Sequence, residues 1–132
     1  IPELDCWRTK QRLMTSKPVY RILTNDEWRI ARKRGFISAT QADRKDGFIH
    51  LSSQGTFLET AGRYYSPKDH PWVVELVPEK LMGEIRWELV GARKALFPHF
   101  YGGEIPLMAV RAVARLYWGA SGVCVQSWSS VQ

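Results

Sequence analysis

The stretch DRKDGFIHLSS, residues 43–53, joins a charged turn, a glycine and a short apolar strand. His50 lies between Ile49 and Leu51, in a run whose other members are apolar. Because successive residues of a strand face opposite sides of a sheet, Ser52 shares the face of His50. An imidazole and a hydroxyl on one face are suited to binding a ribose or a phosphate group, so we treat both residues as candidates for a site.

Helix signals stand on either side of this short strand. Thr24 and Glu27 have the spacing of a capping box, and Gly35 stands where a helix would end, which predicts a first helix between them. The serine pair that closes the quoted stretch can cap a second helix running to about Tyr65. Short strands dominate the second half of the chain. The sequence therefore predicts an α+β fold with a compact split, mostly antiparallel sheet and two main helices.

The length bounds the domain organisation. At 132 residues and 45% hydrophobic content, the chain has the size of one domain. We predict an N-terminal extension over residues 1–17, a single domain over residues 18–118, and a C-terminal tail or edge strand over residues 119–132. The sequence does not indicate an oligomeric state.

Cysteines and apolar runs bear on the cellular compartment. Cys6 and Cys124 are the only cysteines, and neither has a second Cys or His at metal-ligand spacing, so no metal site is predicted. No run of about 18 apolar residues is present, which argues against a membrane span. We expect a cytoplasmic protein with reduced thiols. The chain begins at Ile1, which leaves open whether a leader was removed.

The basic residues give only weak support to a nucleic-acid partner. The chain has 19 Lys and Arg against 13 Asp and Glu, a formal net charge of +6, and the excess lies in the first third of the sequence. Several of these bases fall in the second half of the predicted first helix, where cations stabilise the negative end of the helix dipole. Because the aromatic residues are not interleaved with the bases, the sequence favours a small-molecule ligand over nucleic acid.

Two segments of the second half carry side chains suited to chemistry. The aromatic loop Phe97-Pro-His99-Phe-Tyr101 suits either stacking on a flat ring or a packed corner. Glu88 shares a strand face with Arg86. Either the two residues form a surface ion pair, which would add little to stability, or the Glu88 carboxylate lies in a cleft and stabilises a positive charge there. No nucleophile turn of the Gly-x-Ser-x-Gly type is present.

The quoted motifs resemble a bacterial and plant family called domain of unknown function 952. The resemblance rests on Asp-x3-Gly-Phe-Ile-His-Leu-Ser from Asp43 and on Phe-Pro-His-x-Tyr-Gly from Phe97, and it covers residues 19–116. It implies an ADP-ribosyltransferase-like fold, in which the cleft of a split sheet holds NAD, and NAD is the cofactor implied here. The strand around His50 is also similar to that of RNA 2'-phosphotransferases of this fold.

The resemblance assigns roles to individual residues. It implies that His50 and Ser52 bind a sugar, that Arg21 binds a phosphate and that Asp43 lies near the mouth of the cleft. Glu88 would stabilise a cationic transition state. The predicted catalytic residues are His50, Glu88 and His99, and the predicted ligand contacts are Arg21, Asp43, Ser52, Phe97 and Tyr101.

These expectations favour a small enzyme or ligand-binding protein with a cleft for a nucleotide or ribose phosphate. As an enzyme it would be a transferase of the ADP-ribosyl or RNA 2'-phosphotransferase type. Two alternatives stay open. One is a cyclase or isomerase that uses the cleft for an apolar metabolite, with a histidine moving a proton near neutral pH. The other is a binding module without catalysis.

Overall fold

Nine β-strands and three α-helices make up residues 17–131, the part of the chain that the computed structural model describes. The helices are α1 (Asn25–Arg34), α2 (Gln41–Asp46) and α3 (Phe57–Tyr64). The strands are β1 (Val19–Leu23), β2 (Phe36–Ile37), β3 (Ile49–His50), β4 (Trp72–Leu76), β5 (Gly83–Val90), β6 (Ala95–Gly102), β7 (Ile105–Pro106), β8 (Val110–Gly119) and β9 (Gly122–Ser130). Residues 1–16 of the predicted N-terminal extension, which include Cys6, and the last residue lie outside this description.

All of these strands pair antiparallel, which confirms the predicted α+β class with a mostly antiparallel sheet. One sheet has the order β1–β4–β8–β9, with β9 at its edge, a second has the order β3–β6–β5, and β2 pairs with β7. None of the described helices is long and apolar enough to cross a membrane. A bridge joins the two larger sheets, because Tyr20 and Ser52 exchange two backbone hydrogen bonds of 2.8 Å. This bridge places β1 beside the end of β3.

The first helix follows its sequence signals closely. The Thr24 hydroxyl accepts a hydrogen bond from the Glu27 amide (3.1 Å), and the Glu27 carboxylate accepts one from the Thr24 amide (2.8 Å). Gly35 ends the helix with φ of 91°, a left-handed conformation that glycine adopts without steric cost. Trp28 and Ala31 are buried on its inner face.

The charged residues before Gly47 form helix α2 rather than the predicted turn, so the fold has three helices instead of two. Thr40 and Asp43 make a second capping box: the Thr40 hydroxyl accepts from the Asp43 amide (3.2 Å), and Oδ2 of Asp43 accepts from the Thr40 amide (2.8 Å). The helix was missed because its six residues carry no apolar stripe. Its buried side chain is the Asp43 carboxylate.

The aromatic segment that starts at Phe97 lies in β6, the central strand of its sheet, and not in the predicted loop. A proline is unusual in a central strand, since it lacks the N–H that a ladder needs. Here the Pro98 carbonyl faces β3 and accepts from the Leu51 amide (3.2 Å). The N–H and C=O of a strand residue point the same way, so the missing N–H also falls on the β3 side, where that short strand ends.

Alternation along β3 and β6 separates a core face from a polar face. Ile49 pairs with Phe100, and both side chains are buried in the hydrophobic core. The neighbouring pair, His50 and His99, points to the opposite side of the sheet. The polar face of this sheet forms one side of the candidate site.

Candidate functional site

A cleft of about 440 Å³ lies beside the bridge that joins the two sheets, with walls from β1, α2, β3, α3 and β6. This volume lies in the range of about 300–1,000 Å³ that is usual for small-molecule sites. Six of the eight predicted site residues line the cleft, and Glu88 and Tyr101 do not. The six are Arg21, Asp43, His50, Ser52, Phe97 and His99.

Asp43 is the hydrogen-bonding centre of this cleft. Its side chain is 1% exposed, so the prediction that it lies near the mouth is wrong. Oδ1 accepts from the Arg21 guanidinium (3.3 Å) and from the amide and Nδ1 of His50 (3.0 and 2.6 Å). Oδ2 accepts from Arg21 (2.7 Å) and from the Thr40 amide (2.8 Å). Burial alone would raise the pKa of Asp43, but the His50 hydrogen bond and the Arg21 charge outweigh it and hold the pKa well below its usual range.

The Arg21 guanidinium is paired with Asp43 and is therefore not free to bind a phosphate. Its guanidinium is buried, forms the two hydrogen bonds to Asp43, and donates a third to the His50 carbonyl (2.7 Å). Its Nε has no hydrogen-bond partner among the described residues. A phosphate that approached Arg21 would meet the Asp43 carboxylate as well, and the two charges oppose each other.

His50 is held between two carboxylates. Its Nδ1 lies 2.6 Å from Asp43 and its Nε2 lies 2.8 Å from Asp46, while the side chain is 39% exposed. The hydrogen bond to Asp43 outweighs burial and raises the pKa of His50, which favours the imidazolium form. Ser52 lines the same cleft as His50, and its hydroxyl donates to Thr60 (3.4 Å).

The Asp43–His50 contact predicts a defined pH dependence of stability. The folded-state pKa of Asp43 is lowered, so its contribution is present above the unfolded value of about 3.9 and is lost as the pH falls through the folded value. The folded-state pKa of His50 is raised, so its contribution is complete below about pH 6.5 and is lost as the pH rises through the folded value. We expect the free energy of unfolding to be highest between about pH 4 and pH 6.5.

Urea denaturation from pH 3 to pH 9 measures this dependence. The matched control is His50→Asn, which keeps a donor towards Asp43 and cannot titrate. We expect the free energy of unfolding to decline less above pH 6.5 in this variant than in the wild-type chain. Curves of equal shape for the two proteins would show that the contact does not control stability.

A second cluster is centred on Glu88. Oε1 of Glu88 accepts from the Tyr101 hydroxyl (2.5 Å) and lies 2.9 Å from Nδ1 of His99. The hydrogen bond from Tyr101, followed by that from His99, lowers the pKa of Glu88. The hydrogen bond between Tyr101 and Glu88 also raises the pKa of Tyr101. Arg86 pairs with Glu84 (3.1 Å) and lies over the Tyr101 ring, so the surface ion pair considered for Arg86 and Glu88 is not formed. Glu88 and Tyr101 thus act on the cleft through His99.

The two histidines bring the clusters together. His50 and His99 are cross-strand partners with ring centroids 6.0 Å apart. The Phe48 ring stacks on His99 at 3.9 Å and tilts against His50 at 4.7 Å. These three distances form a triangle with a nearly right angle at Phe48, so the phenyl ring lies beside the line that joins the imidazoles.

Arg93 is a cleft residue that the sequence did not single out. Its side chain is 5% exposed, lines the cleft and lies over the Phe97 ring at 4.5 Å. Its Nη2 donates to the Thr60 hydroxyl (3.0 Å), whereas its buried Nε makes no hydrogen bond to a described residue and forms a long ion pair with Glu59 (3.5 Å). In the sequence it is one of two bases in a short loop, and no local pattern separates it from Lys94.

Across residues 17–131, no group of three or more His, Cys, Asp or Glu side chains could hold a metal ion.

Comparison with known proteins identifies the family. No curated protein matches the chain. The crystal structure of protein CC0527 from Caulobacter crescentus is 31% identical, with a TM-score of 0.70, and the match covers 83% of this chain and 93% of that chain. Its solution NMR structure is 31% identical, with a TM-score of 0.67, and the match covers 80% of this chain and 90% of that one. The model of the family described as protein of unknown function (DUF952) matches residues 22–113, and the chain therefore belongs to the DUF952 family.

Proposed function

We propose that the cleft binds a small molecule that carries a ribose and a phosphate group, such as a nucleotide, and that the chain is a transferase-like enzyme. The observation that carries this proposal is the Arg93 guanidinium, which is buried on the cleft wall and whose Nε has no hydrogen-bond partner among the described residues. An arginine has five N–H donors, and burying one that is incompletely paired is costly. The carboxylate nearest to Arg93 in the structure is the half-exposed Glu59, 3.5 Å from its Nε, and a ligand phosphate would supply further acceptors inside the cleft.

The charges around the cleft support an anionic ligand. With His50 protonated, the lining side chains include three cations and two carboxylates. Arg21 is already paired with Asp43, which leaves Arg93 as the cation best placed for a phosphate. Arg93 therefore takes the phosphate-binding role that the sequence assigned to Arg21.

Neighbouring side chains suit the rest of such a ligand. The hydroxyls of Ser52 and Thr60 lie next to Arg93 along one chain of hydrogen bonds and suit a sugar or a phosphate oxygen. Tyr64 lines the cleft with 68% of its surface exposed, and this aromatic face can stack on a base. A volume of about 440 Å³ lies in the lower part of the usual range and suits one nucleotide, so the second half of a dinucleotide would extend out of the cleft.

The arrangement of the sheets supports placement with the ADP-ribosyltransferase-like fold. Two antiparallel sheets joined by the bridge at Tyr20 flank the cleft, as the resemblance implies for a split sheet. The strand from Phe48 to Ser52 resembles that of RNA 2'-phosphotransferases of this fold. NAD, or an ADP-ribose part of it, is accordingly among the ligands to test.

Isothermal titration calorimetry tests the proposal with AMP, adenosine 2'-phosphate, ADP-ribose, NAD and adenosine. We expect at least one phosphate compound to bind about tenfold or more tightly than adenosine, since hydrogen bonds to charged groups contribute about 1.5–3 kcal/mol. Absence of heat and of NMR chemical-shift changes with all four phosphate compounds would contradict the proposal.

The apolar part of the lining favours one alternative. Ile22, Leu51, Val90 and Phe97 all contribute to the cleft walls. The alternative is a cyclase or isomerase, in which the cleft would hold an apolar metabolite and a histidine would move a proton. A thermal-shift screen that contains both nucleotides and apolar metabolites separates the two, because only one class should raise the melting temperature.

A further inference from the structure

The two histidines of the cleft differ in the nitrogen that each leaves open. His99 has Nδ1 2.9 Å from Glu88, and its Nε2 has no hydrogen-bond partner among the described residues. When Nδ1–H donates to Glu88, Nε2 carries the lone pair. A carboxylate that fixes the tautomer of a histidine in this way is the usual arrangement of a general base.

His50 has the opposite arrangement. Both of its ring nitrogens contact carboxylates, Asp43 at 2.6 Å and Asp46 at 2.8 Å, which favours a proton on each nitrogen. Asp43 is buried and fixed by Arg21, whereas Asp46 is 48% exposed and accessible to solvent. An oxygen of a ligand can therefore replace the Asp46 carboxylate at Nε2, and His50 can then donate a proton to it.

We propose that His99 and His50 are a general base and a general acid for transfer of a phosphate between neighbouring oxygens of a ribose phosphodiester. The two imidazoles are edge-on neighbours with ring centroids 6.0 Å apart, and both line the cleft, so one phosphodiester bound in the cleft can contact both of them. The inference rests on the proposed binding of a ribose phosphate, and Arg93 is the cation that binds the non-bridging oxygens of the phosphate.

The step balances without an oxidant or a reductant. Nε2 of His99 takes the proton of the ribose 2'-hydroxyl while the 2'-oxygen forms a bond to phosphorus. The bond between phosphorus and the 5'-oxygen of the next nucleotide breaks, and its electron pair leaves on that oxygen. Nε2 of His50 gives that oxygen a proton. The products are a 2',3'-cyclic phosphate and a free 5'-hydroxyl, and exchange with water restores both histidines.

The surrounding charges fit this division of roles. His50 faces the carboxylates of Asp43 and Asp46 from α2, and the Arg21 cation of β1 donates to its backbone carbonyl. On the other side, His99 faces the Glu88 carboxylate from β5. Glu88 and Asp43 are positioning residues, because each acts through a histidine.

The dinucleotide uridylyl-(3',5')-adenosine tests the reaction with the wild-type chain and a His99→Asn variant, which keeps a donor towards Glu88. We expect liquid chromatography to detect the 2',3'-cyclic phosphate of uridine and free adenosine. We expect His99→Asn to lower the turnover by at least about 100-fold, with the affinity changed less than about threefold. Glu88→Gln should lower the turnover less and shift the pH profile, since it changes the tautomer without removing the base.

The 2'-deoxy form of the dinucleotide separates this inference from the proposed function. It keeps the phosphate and lacks the attacking hydroxyl, so we expect it to bind by calorimetry and not to react. Binding of the deoxy form without cleavage of the ribonucleotide would overturn the inference and leave the proposed function in place. Failure of both dinucleotides and of the mononucleotides to bind would overturn both.

Discussion

Replacing Asp43 with asparagine is expected to lower the free energy of unfolding by about 3–5 kcal/mol, the usual cost of breaking a buried ion pair by removing one partner. Asp43 is fully buried and accepts from both terminal nitrogens of Arg21, from the Thr40 amide and from His50. Asparagine can accept through one oxygen only and carries no charge. The Arg21 cation would then be buried without its counter-ion, and the α2 capping box would lose half of its hydrogen bonds.

Asp46→Asn is the matched control for Asp43→Asn. Asp46 lies on the same helix and contacts the same histidine, but it is half-exposed. We expect its replacement to cost less than about 1 kcal/mol, as for other solvent-exposed ion pairs. Urea denaturation of both variants at pH 6 measures the difference. Equal losses for the two variants, or a loss below about 1 kcal/mol for Asp43→Asn, would show that the buried pair does not hold the fold together.

The parts of the fold that the sequence predicted correctly are those set by neighbouring residues. Helix α1 begins at the Thr24 capping box and ends at Gly35, and all of these signals lie within twelve residues of one another. Thr40 and Asp43 also have capping-box spacing in the sequence, but the run of charged residues that contains Asp43 was interpreted as a turn. The place of Pro98 in a central strand also depends on a distant partner, because its missing N–H falls on the side where β3 ends.

The site depends on contacts between distant residues, and only part of it could be predicted. Alternation along β3 indicated that His50 faces away from the core, but it could not reveal that β3 pairs with β6 and sets His50 opposite His99. The ion pair of Arg21 with Asp43 joins residues from separate elements in the same way. Arg93 had no signal at all, since its burial results from α3 and β6 packing around a loop whose sequence is simply basic.

Replacing Arg93 with methionine is expected to weaken AMP binding by about 100-fold or more while leaving the free energy of unfolding unchanged or higher. The loss of affinity follows from the proposal that this buried cation binds the phosphate, since removing one partner of a buried charge pair costs about 2–5 kcal/mol. The stability should not fall, because Arg93 makes one hydrogen bond, to Thr60, and its ion pair with Glu59 is long (3.5 Å) and involves a carboxylate that is 57% exposed. Methionine keeps contact with Phe97 and removes the cost of burying a charge. Calorimetry and urea denaturation measure the two quantities.

Opposite effects on binding and on stability distinguish a ligand-binding arginine from a structural one. Lys94→Met is the matched control, since it removes the same charge from the adjacent, exposed position and should leave AMP affinity within about twofold. Arg93→Lys keeps the charge but loses the planar donor pair, so an intermediate loss of about tenfold is expected. A large loss of stability in Arg93→Met would identify a structural arginine, and unchanged AMP affinity would exclude Arg93 from the phosphate site. Either result would remove the main support for a phosphate-bearing ligand, because Arg21 is already neutralised by Asp43.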